Sequence, residues 1–538
     1  MSEDATPSRR GGLGRAITRT LEVLRGSRIE LSSFDPAEDG PLVGFDPPPD
    51  NEEIERYWLD APFAFAVITY DHADDEHRYH VAEPDLDSVE RELLDALYND
   101  VRDLLLYRDP GDDAEEALRG ELKSRLEEYG VDVDAETFYK LFYYLHRSYR
   151  GYGRIDPLMY DPGIEDISCD GPGLPIYIYH EEYTDMATSV RFEDDELDSY
   201  VVRLAQQAGR HISVGNPVTE TTLPDGSRAE LALGEEVTPR GSAFTIRKYS
   251  EEPFTPIDLL RYGTYDLESL AYLWLAIEHN RNIVFAGGTA SGKTTSMNAI
   301  SMFVPPRSKV ITIEDTRELA LYHDNWLSSV TRERLDEGAN ITMYDLLRSA
   351  LRHRPEYIIV GEVRGEEAIT LFQAMNTGHT TLSTMHADGV RTAINRLENE
   401  PIGVPRQMVE SLDVLCVQVL TAVGEERARR ARTIAEIEGI DQRTGELDYS
   451  GAFDWKPDTD TFRAGSRSVL EGVRDDRGWS QRKLLDELNR RKEFLDGLDE
   501  ADVTDYRRFT TMVNRYYADP EAAMDRIDDG RTAVPADD

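Results

Sequence analysis

The chain has 538 residues, 40% of them hydrophobic, with 105 acidic against 60 basic side chains and a formal net charge of −45. That length exceeds one ordinary hydrophobic core and implies roughly three or four folded domains, while the acidic excess repels phosphate backbones and disfavours nucleic-acid binding. Two cysteines, Cys169 and Cys416, allow neither a disulfide framework nor a four-cysteine metal site.

Residues 1–60 mix Gly, Pro, Ser and acidic charge without an apolar period and read as a flexible acidic segment. The apolar run from Ala61 to Tyr70 is too short to span a bilayer. Val89, Leu93, Leu94, Leu97 and Val101 recur at helical spacing, as do Phe138, Leu141, Phe142 and Leu145, so a helical domain is expected over 61–150. Short β-rich runs (Ile176–Tyr179, Ala229–Leu233, Ala243–Arg247) then alternate with the turn signals Asp161-Pro-Gly and Pro224-Asp-Gly. With one helical run at 197–208, they predict an α+β domain over 151–250. A linker is expected at 251–262, beginning Glu251-Glu-Pro-Phe-Thr-Pro256.

From 263 to 440 short apolar strands alternate with helix-period stretches, the pattern of an α/β domain with a parallel sheet. Residues 441–538 read as mostly helical, with one apolar stripe through Leu484, Leu488, Leu495 and Leu498 and another through Phe509, Val513 and Tyr516.

The chemistry concentrates in the α/β segment. A strand at 282–286 runs into Gly287-Gly288-Thr289-Ala290-Ser291-Gly292-Lys293-Thr294-Thr295 and then a helix. This is a phosphate loop: glycines let backbone N–H groups approach the phosphates, and the helix dipole favours the anion. Lys293 supplies positive charge to the β- and γ-phosphates of ATP, and the Thr294 hydroxyl is a Mg²⁺ ligand.

Three further strands end in polar residues, as expected if a ligand lies at the carboxyl edge of the sheet. One leads into Glu314-Asp315-Thr316-Arg317, another into Gly361-Glu362-Val363-Arg364, and the third is bracketed by His379 and His386. Glu362 suits a carboxylate that orients Mg²⁺ through water or positions the attacking water, and Glu314 is a second candidate for polarising it. Neutral imidazoles at His379 and His386 suit reading the γ-phosphate. A GTPase reading lacks an Asn-Lys-x-Asp motif, and a transporter ATPase reading lacks Ser-Gly-Gly-Gln.

Together, Gly-Gly-Thr-Ala-Ser-Gly-Lys-Thr-Thr, Ile-Glu-Asp-Thr-Arg-Glu-Leu, Ile-Ile-Val-Gly-Glu-Val-Arg-Gly and Thr-Gly-His-Thr-Thr-Leu-Ser-Thr-Met-His-Ala resemble the Walker A, Asp box, Walker B and His box of the type II/IV secretion ATPase superfamily. Gly153-Arg-Ile-Asp-Pro-Leu-Met159 and Leu223-Pro-Asp-Gly-Ser-Arg228 resemble that family's second N-terminal domain, so the similarity spans about 150–440. The resemblance implies a multidomain α/β protein: a RecA-like core, an upstream α+β (PAS-like) domain, an N-terminal helical domain and a helical C-terminal region. It implies a cytoplasmic homo-hexamer on the inner face of the membrane. There it would hydrolyse Mg-ATP against a polytopic platform protein, with accessory cytoplasmic regulators. Arg210, Arg228 and Arg247 are the implied arginine fingers, and Arg317 matches a family position.

The chain lacks the four-cysteine segment of bacterial general-secretion members and is similar to the archaeal branch. There it resembles both archaellum motors and adhesion-pilus assembly ATPases, leaning towards the archaellum. Only eight of the basic residues are lysines, and so large a negative charge suits a salt-rich cytoplasm, where the Debye length falls to about 3 Å at 1 M. A DNA-translocating or conjugation-type ATPase is the alternative, disfavoured by the charge.

Overall fold

The computed structural model describes residues 42–105, 114–249, 253–332, 340–424 and 426–528. They divide into two compact units after Tyr249. Residues 1–41 and 251–252 lie outside the described residues, and with them most of the expected flexible segment and the start of the expected linker.

The first unit opens with strands β1 (Asn51–Asp60), β2 (Ala64–Asp71) and β3 (Glu76–Ala82), then helices α1 (Ser88–Leu105), α2 (Ala114–Tyr129) and α3 (Ala135–Tyr149). A short α4 (Asp156–Tyr160) leads to β4 (Ile164–Cys169), β5 (Pro175–His180) and β6 (Thr184–Arg191), followed by α5 (Asp194–Gln207), β7 (Val218–Thr222), β8 (Arg228–Ala232) and β9 (Ala243–Arg247). All nine strands share one sheet in the order β1-β2-β3-β6-β5-β4-β9-β8-β7. Only the β3·β6 pair in it is parallel, through Arg78↔Ala187 and Tyr79↔Thr188. The helices keep a separate core in which Leu93, Leu94 and Leu97 of α1 meet Leu118, Leu122 and Leu126 of α2 and Phe138, Leu141 and Leu145 of α3.

The expectation of helix from residue 61 and of a flexible chain up to 60 is corrected here. Residues 51–82 form three strands, and the helices begin at Ser88. The run Ala64–Thr69 is buried on both faces of β2, which removes the alternation that marks a half-buried strand. Strand β1 lies at the sheet's margin and exposes most of its side chains. Backbone pairing with β2, rather than apolar side chains, makes it a strand.

The second unit starts with α6 (Pro256–Arg261), inside the span expected as linker. Thr255 and Asp258 cap it reciprocally, a capping box that makes even this short helix persist. Then come α7 (Leu267–Glu278), β10 (Ile283–Gly287), α8 (Lys293–Ser301), β11 (Val310–Glu314), β12 (Trp326–Val330), α9 (Met343–Ala350), β13 (Tyr357–Val360), α10 (Glu367–Asn376) and β14 (Thr380–Met385). They are followed by α11 (Val390–Glu398), α12 (Arg406–Val409), β15 (Val414–Val423), β16 (Glu426–Ile440), β17 (Leu447–Lys456) and β18 (Thr461–Ala464). Four helices close the unit: α13 (Ser468–Arg477), α14 (Gln481–Glu500), α15 (Tyr506–Ala518) and α16 (Pro520–Asp528).

The second sheet runs β12-β11-β13-β14-β10-β15-β16-β17-β18. Its first six strands are parallel and its last three antiparallel. Strands β10, β11, β13 and β14 are buried on both faces; β10 and β13 accordingly read as apolar runs, whereas β14 buries mainly threonine and serine. The phosphate-loop strand β10 sits between β14 and β15, with β13 one strand further out. Because β17 and β18 extend this sheet, the expected boundary at 440 and the expectation of a mostly helical region from 441 are corrected over 447–464. The helices begin at Ser468.

Those C-terminal helices pack on the core through one aromatic cluster. Trp274 of α7 stacks on Phe303 at 4.8 Å and meets Phe494 and Tyr516. Its Nε1 donates to the Tyr517 hydroxyl at 2.9 Å, and that hydroxyl donates to the Phe303 carbonyl at 2.7 Å. Arg491, 3% exposed, pairs with Glu278 of α7 and, at 2.7 Å, with Glu487. Helix α8 thus starts at the phosphate loop, and Phe303, two residues past its end, packs against the C-terminal helices. Among the described residues no helix is long and apolar enough to cross a membrane.

Candidate nucleotide site

Strand β10 delivers Gly287 to the carboxyl edge of the sheet, where the chain must turn sharply into α8. A Cβ on Gly287 would lie 2.2 Å from the Ser291 hydroxyl and 2.9 Å from the Gln418 carbonyl oxygen, whereas one on Gly288 would meet nothing within 4 Å. The loop is closed internally by Ser291, whose hydroxyl donates to the Gly288 carbonyl at 2.8 Å. Ala290 takes φ 59°, and Gly292, the N-cap of α8, takes φ 80°. Gly292 has no side chain to cap the helix, so the amides of the first turn are left for an anion. Lys293, Thr294 and Thr295 occupy that turn, half-buried. Thr289 and Gly288, exposed, form the outer lip.

Glu362, just past β13, stands beside this loop. Its carboxylate accepts from Arg364 at 2.7 Å and approaches His386 Nε2 at 3.2 Å, a close contact rather than a hydrogen bond. Burial pushes this carboxyl up, but Arg364, His386 and Lys293 outweigh burial and hold it below its usual value. It is therefore ionised at neutral pH. His386 is held below the ordinary imidazole value by burial and by the nearby Lys293, so it is neutral there. The turn between them is fixed by Glu367, which accepts from the Arg364 amide at 2.6 Å and the Gly365 amide at 2.7 Å. Lys293, Glu362 and His386 are thus one electrostatic cluster.

Glu314, at the end of β11, is 1% exposed. Its Oε1 accepts from the amides of Glu318 and Leu319, both at 2.8 Å, so the carboxyl staples the loop that follows its own strand. Burial pushes it up to about 7 against the pull of those two amides. Its Oε2 accepts no hydrogen bond from a described residue. A Cβ on Gly361 would lie 3.3 Å from the Glu314 side chain, so the glycine before Glu362 lets the two strand ends pack closely.

Two sequence candidates stand elsewhere. His379 precedes β14 while His386 follows it, so the strand separates them by ~20 Å at about 3.3 Å per residue. The expectation that both histidines read one phosphate is corrected: His379 is at the amino edge, where its Nδ1 meets the Thr377 hydroxyl at 3.2 Å. Arg317 lays its guanidinium over the Trp326 ring at 5.8 Å, beside β12.

The three upstream arginines belong to the first unit. Arg228 and Arg247 face each other in register across β8 and β9. Arg228 pairs with Glu220, and Arg247 with Asp166 at 3.1 Å. Arg210 follows α5, half-buried.

Sequence reasoning missed Arg364 as the partner that keeps Glu362 charged. The signal was present, two residues beyond the strand-end glutamate. It also missed Arg429 of β16, whose Nε donates to the Ala290 carbonyl at 3.1 Å.

The residues fit a nucleoside triphosphate with Mg²⁺. An uncapped helix start that carries a lysine and a threonine lies beside an ionised carboxylate. A parallel α/β core with that arrangement defines a phosphate-loop nucleotide-binding protein. The chain belongs to the type II/IV secretion system protein family, whose model matches residues 151–456. Flanking segments match two further models, PilB3-like N-terminal over 11–85 and PilB3-like C-terminal over 458–537.

An uncharacterised protein of Methanocaldococcus jannaschii is 38% identical over 393 residues, covering 72% of this chain and 71% of that one. The type IV secretion system protein PtlH of Bordetella pertussis is 31% identical over 282 residues, covering 46% of this chain and 82% of PtlH. Among solved structures, the pilus retraction motor PilT with bound ADP is 19% identical with a TM-score of 0.36, covering 59% of this chain and 83% of that chain.

Proposed function

We propose that the chain is a Mg-ATP-hydrolysing motor that drives assembly of a type IV pilus-like surface filament. The observation that carries the reading is the cluster of Lys293, ionised Glu362 and neutral His386 beside a phosphate loop, within a family of secretion proteins. Phosphoryl transfer to water needs placement and charge rather than covalent chemistry. In this reading Lys293 binds the β- and γ-phosphates, Thr294 holds Mg²⁺, and Glu362 orients the metal through water or positions the attacking water. His386 reports the γ-phosphate. The chain works as a homo-hexamer beneath a polytopic membrane platform, in a salt-rich cytoplasm. The upstream α+β (PAS-like) domain brings Arg228, Arg210 or Arg247 to the nucleotide as fingers.

Of the two filament readings, the PilB3-like end segments favour the pilus over the archaellum. The net charge of −45 weighs against DNA as cargo.

The test is phosphate release by the purified chain with Mg-ATP. Lys293→Ala and Glu362→Gln each lower turnover by about 10²–10³, and Arg228→Ala keeps nucleotide binding while losing hydrolysis. Near-normal turnover in the first two variants overturns the site assignment. Gene deletion scored for surface adhesion and for swimming separates the pilus from the archaellum.

A further inference from the structure

The phosphate loop holds a conformation that its own sequence does not fully support. Ala290 sits at φ 59°, in the left-handed region that costs a residue with a Cβ of order 1 kcal/mol or more. Such a conformation persists only where surroundings impose it. The internal bond from Ser291 to Gly288 closes the base of the loop but does not reach the Ala290 carbonyl.

That carbonyl is held from outside. Strands β15 and β16 form a long antiparallel hairpin, paired from Val414↔Glu436 to Val423↔Glu426. Strand β10 pairs with β15 only as far as Gly287↔Gln418. Beyond Gln418 the hairpin therefore runs past the end of β10 and overhangs the loop. Arg429 lies on this overhang, opposite Leu420. Its Nε donates to Ala290 at 3.1 Å, and its Cδ would stand 3.2 Å from a Cβ at Gly292. One side chain thus bonds one left-handed position of the loop and fills the space that a side chain at the other would need.

The overhang is itself anchored. The next residue, Arg430, is 6% exposed and grips Asp460 with two nitrogens, at 2.8 and 2.9 Å, while donating to the Tyr262 carbonyl at 2.7 Å. The Ala431 amide donates to the Thr264 carbonyl at 2.9 Å. The backbone that presents Arg429 is therefore anchored by the two residues that follow it, as a positioning residue requires.

We propose that Arg429 is a positioning residue of the nucleotide site: its Nε–H, rather than its charge, holds the Ala290 carbonyl and so pre-forms the loop that binds the phosphates of a nucleoside di- or triphosphate. This rests on the nucleotide reading of the loop. It places a determinant of affinity on the antiparallel extension of the sheet, outside the four motifs.

The experiment compares two substitutions in the full chain, with a fluorescent ADP analogue and Mg²⁺. In Arg429→Gln the amide nitrogen falls where Nε stands, keeping a neutral donor. Arg429→Met keeps the stem and removes the donor. The Met variant binds Mg-ADP about tenfold more weakly, the upper end of what one hydrogen bond contributes, and the Gln variant stays within about threefold of the unaltered chain. Both melt with the unaltered chain when nucleotide is absent, because Arg429 is partly exposed. Arg427→Ala, on the same overhang but without the Ala290 bond, binds normally. Unaltered affinity in the Met variant overturns the proposal, and so does an equal loss in Met and Gln, which would assign the effect to charge. If the unaltered chain, fully folded, does not bind Mg-ADP, the nucleotide reading itself fails.

Discussion

Gly287→Ala tests whether the loop's glycine spacing is a packing requirement. The added methyl would sit 2.2 Å from the Ser291 hydroxyl and 2.9 Å from the backbone oxygen of Gln418. The serine can rotate away, at the loss of its bond to Gly288, about 0.5–1.5 kcal/mol. Strand β15 cannot, because it is paired on both sides, and overpacking against fixed backbone costs about 1–3 kcal/mol. The sum is roughly 1.5–4.5 kcal/mol. Gly288→Ala is the matched control: nothing lies within 4 Å of its Cβ position, and its φ is not left-handed, so stability stays within about 0.5 kcal/mol. Thermal and urea unfolding of the nucleotide-free chain, followed by tryptophan fluorescence, reads the difference. Gly287→Ala lowers the melting point by at least ~3 °C. Equal melting of the two variants refutes the reasoning.

The remaining predictions concern charge. Burial raises Glu314 to about 7 from an ordinary 4.5, so the folded state binds its proton more tightly than the unfolded state. The associated stability is fully present below about pH 4.5 and is lost as pH rises through about 7. Glu314→Gln should therefore gain stability over the unaltered chain across that window and hold a constant advantage above it, as urea unfolding at a series of pH values would show. A pH-independent difference refutes the burial argument. Arg491→Ala leaves Glu278 and Glu487 without their buried partner and costs about 3–5 kcal/mol. Arg261→Ala, which breaks exposed pairs with Asp499 and Asp502, leaves melting nearly unchanged. Far-UV circular dichroism across a KCl series should show secondary structure lost at low salt. A fold indifferent to salt removes the argument from the net charge.

What the sequence disclosed depended on how each feature is specified. The phosphate loop was legible because its residues are demanded by backbone geometry over a few positions. Strands β10 and β13 were legible too, since burial on both faces writes them as apolar runs. Strand β1 was not legible, since its side chains are solvated and only its ladder with β2 makes it a strand. Strands β17 and β18 were read as part of a helical tail for a related reason: most side chains of the second are exposed. His379 was misassigned although the order already set it before the strand and His386 after it, because residues at the two ends of one strand lie at opposite edges of the sheet. Arg429 stood out in no motif. Its role depends on a hairpin that brings position 429 to position 290.

The sheets have a further consequence for how this chain can be divided. The family match ends at residue 456 and the next begins at 458, yet β17 and β18 pair across that gap as Trp455↔Phe462 and Lys456↔Thr461. The same match starts at 151, although β6 inside it is hydrogen-bonded to β3 outside it. A fragment excised at either limit would bare a row of amide and carbonyl groups evolved to be covered, the usual template for self-association. The stretches that sequence similarity delimits in this protein are units of descent, and the units that fold are larger.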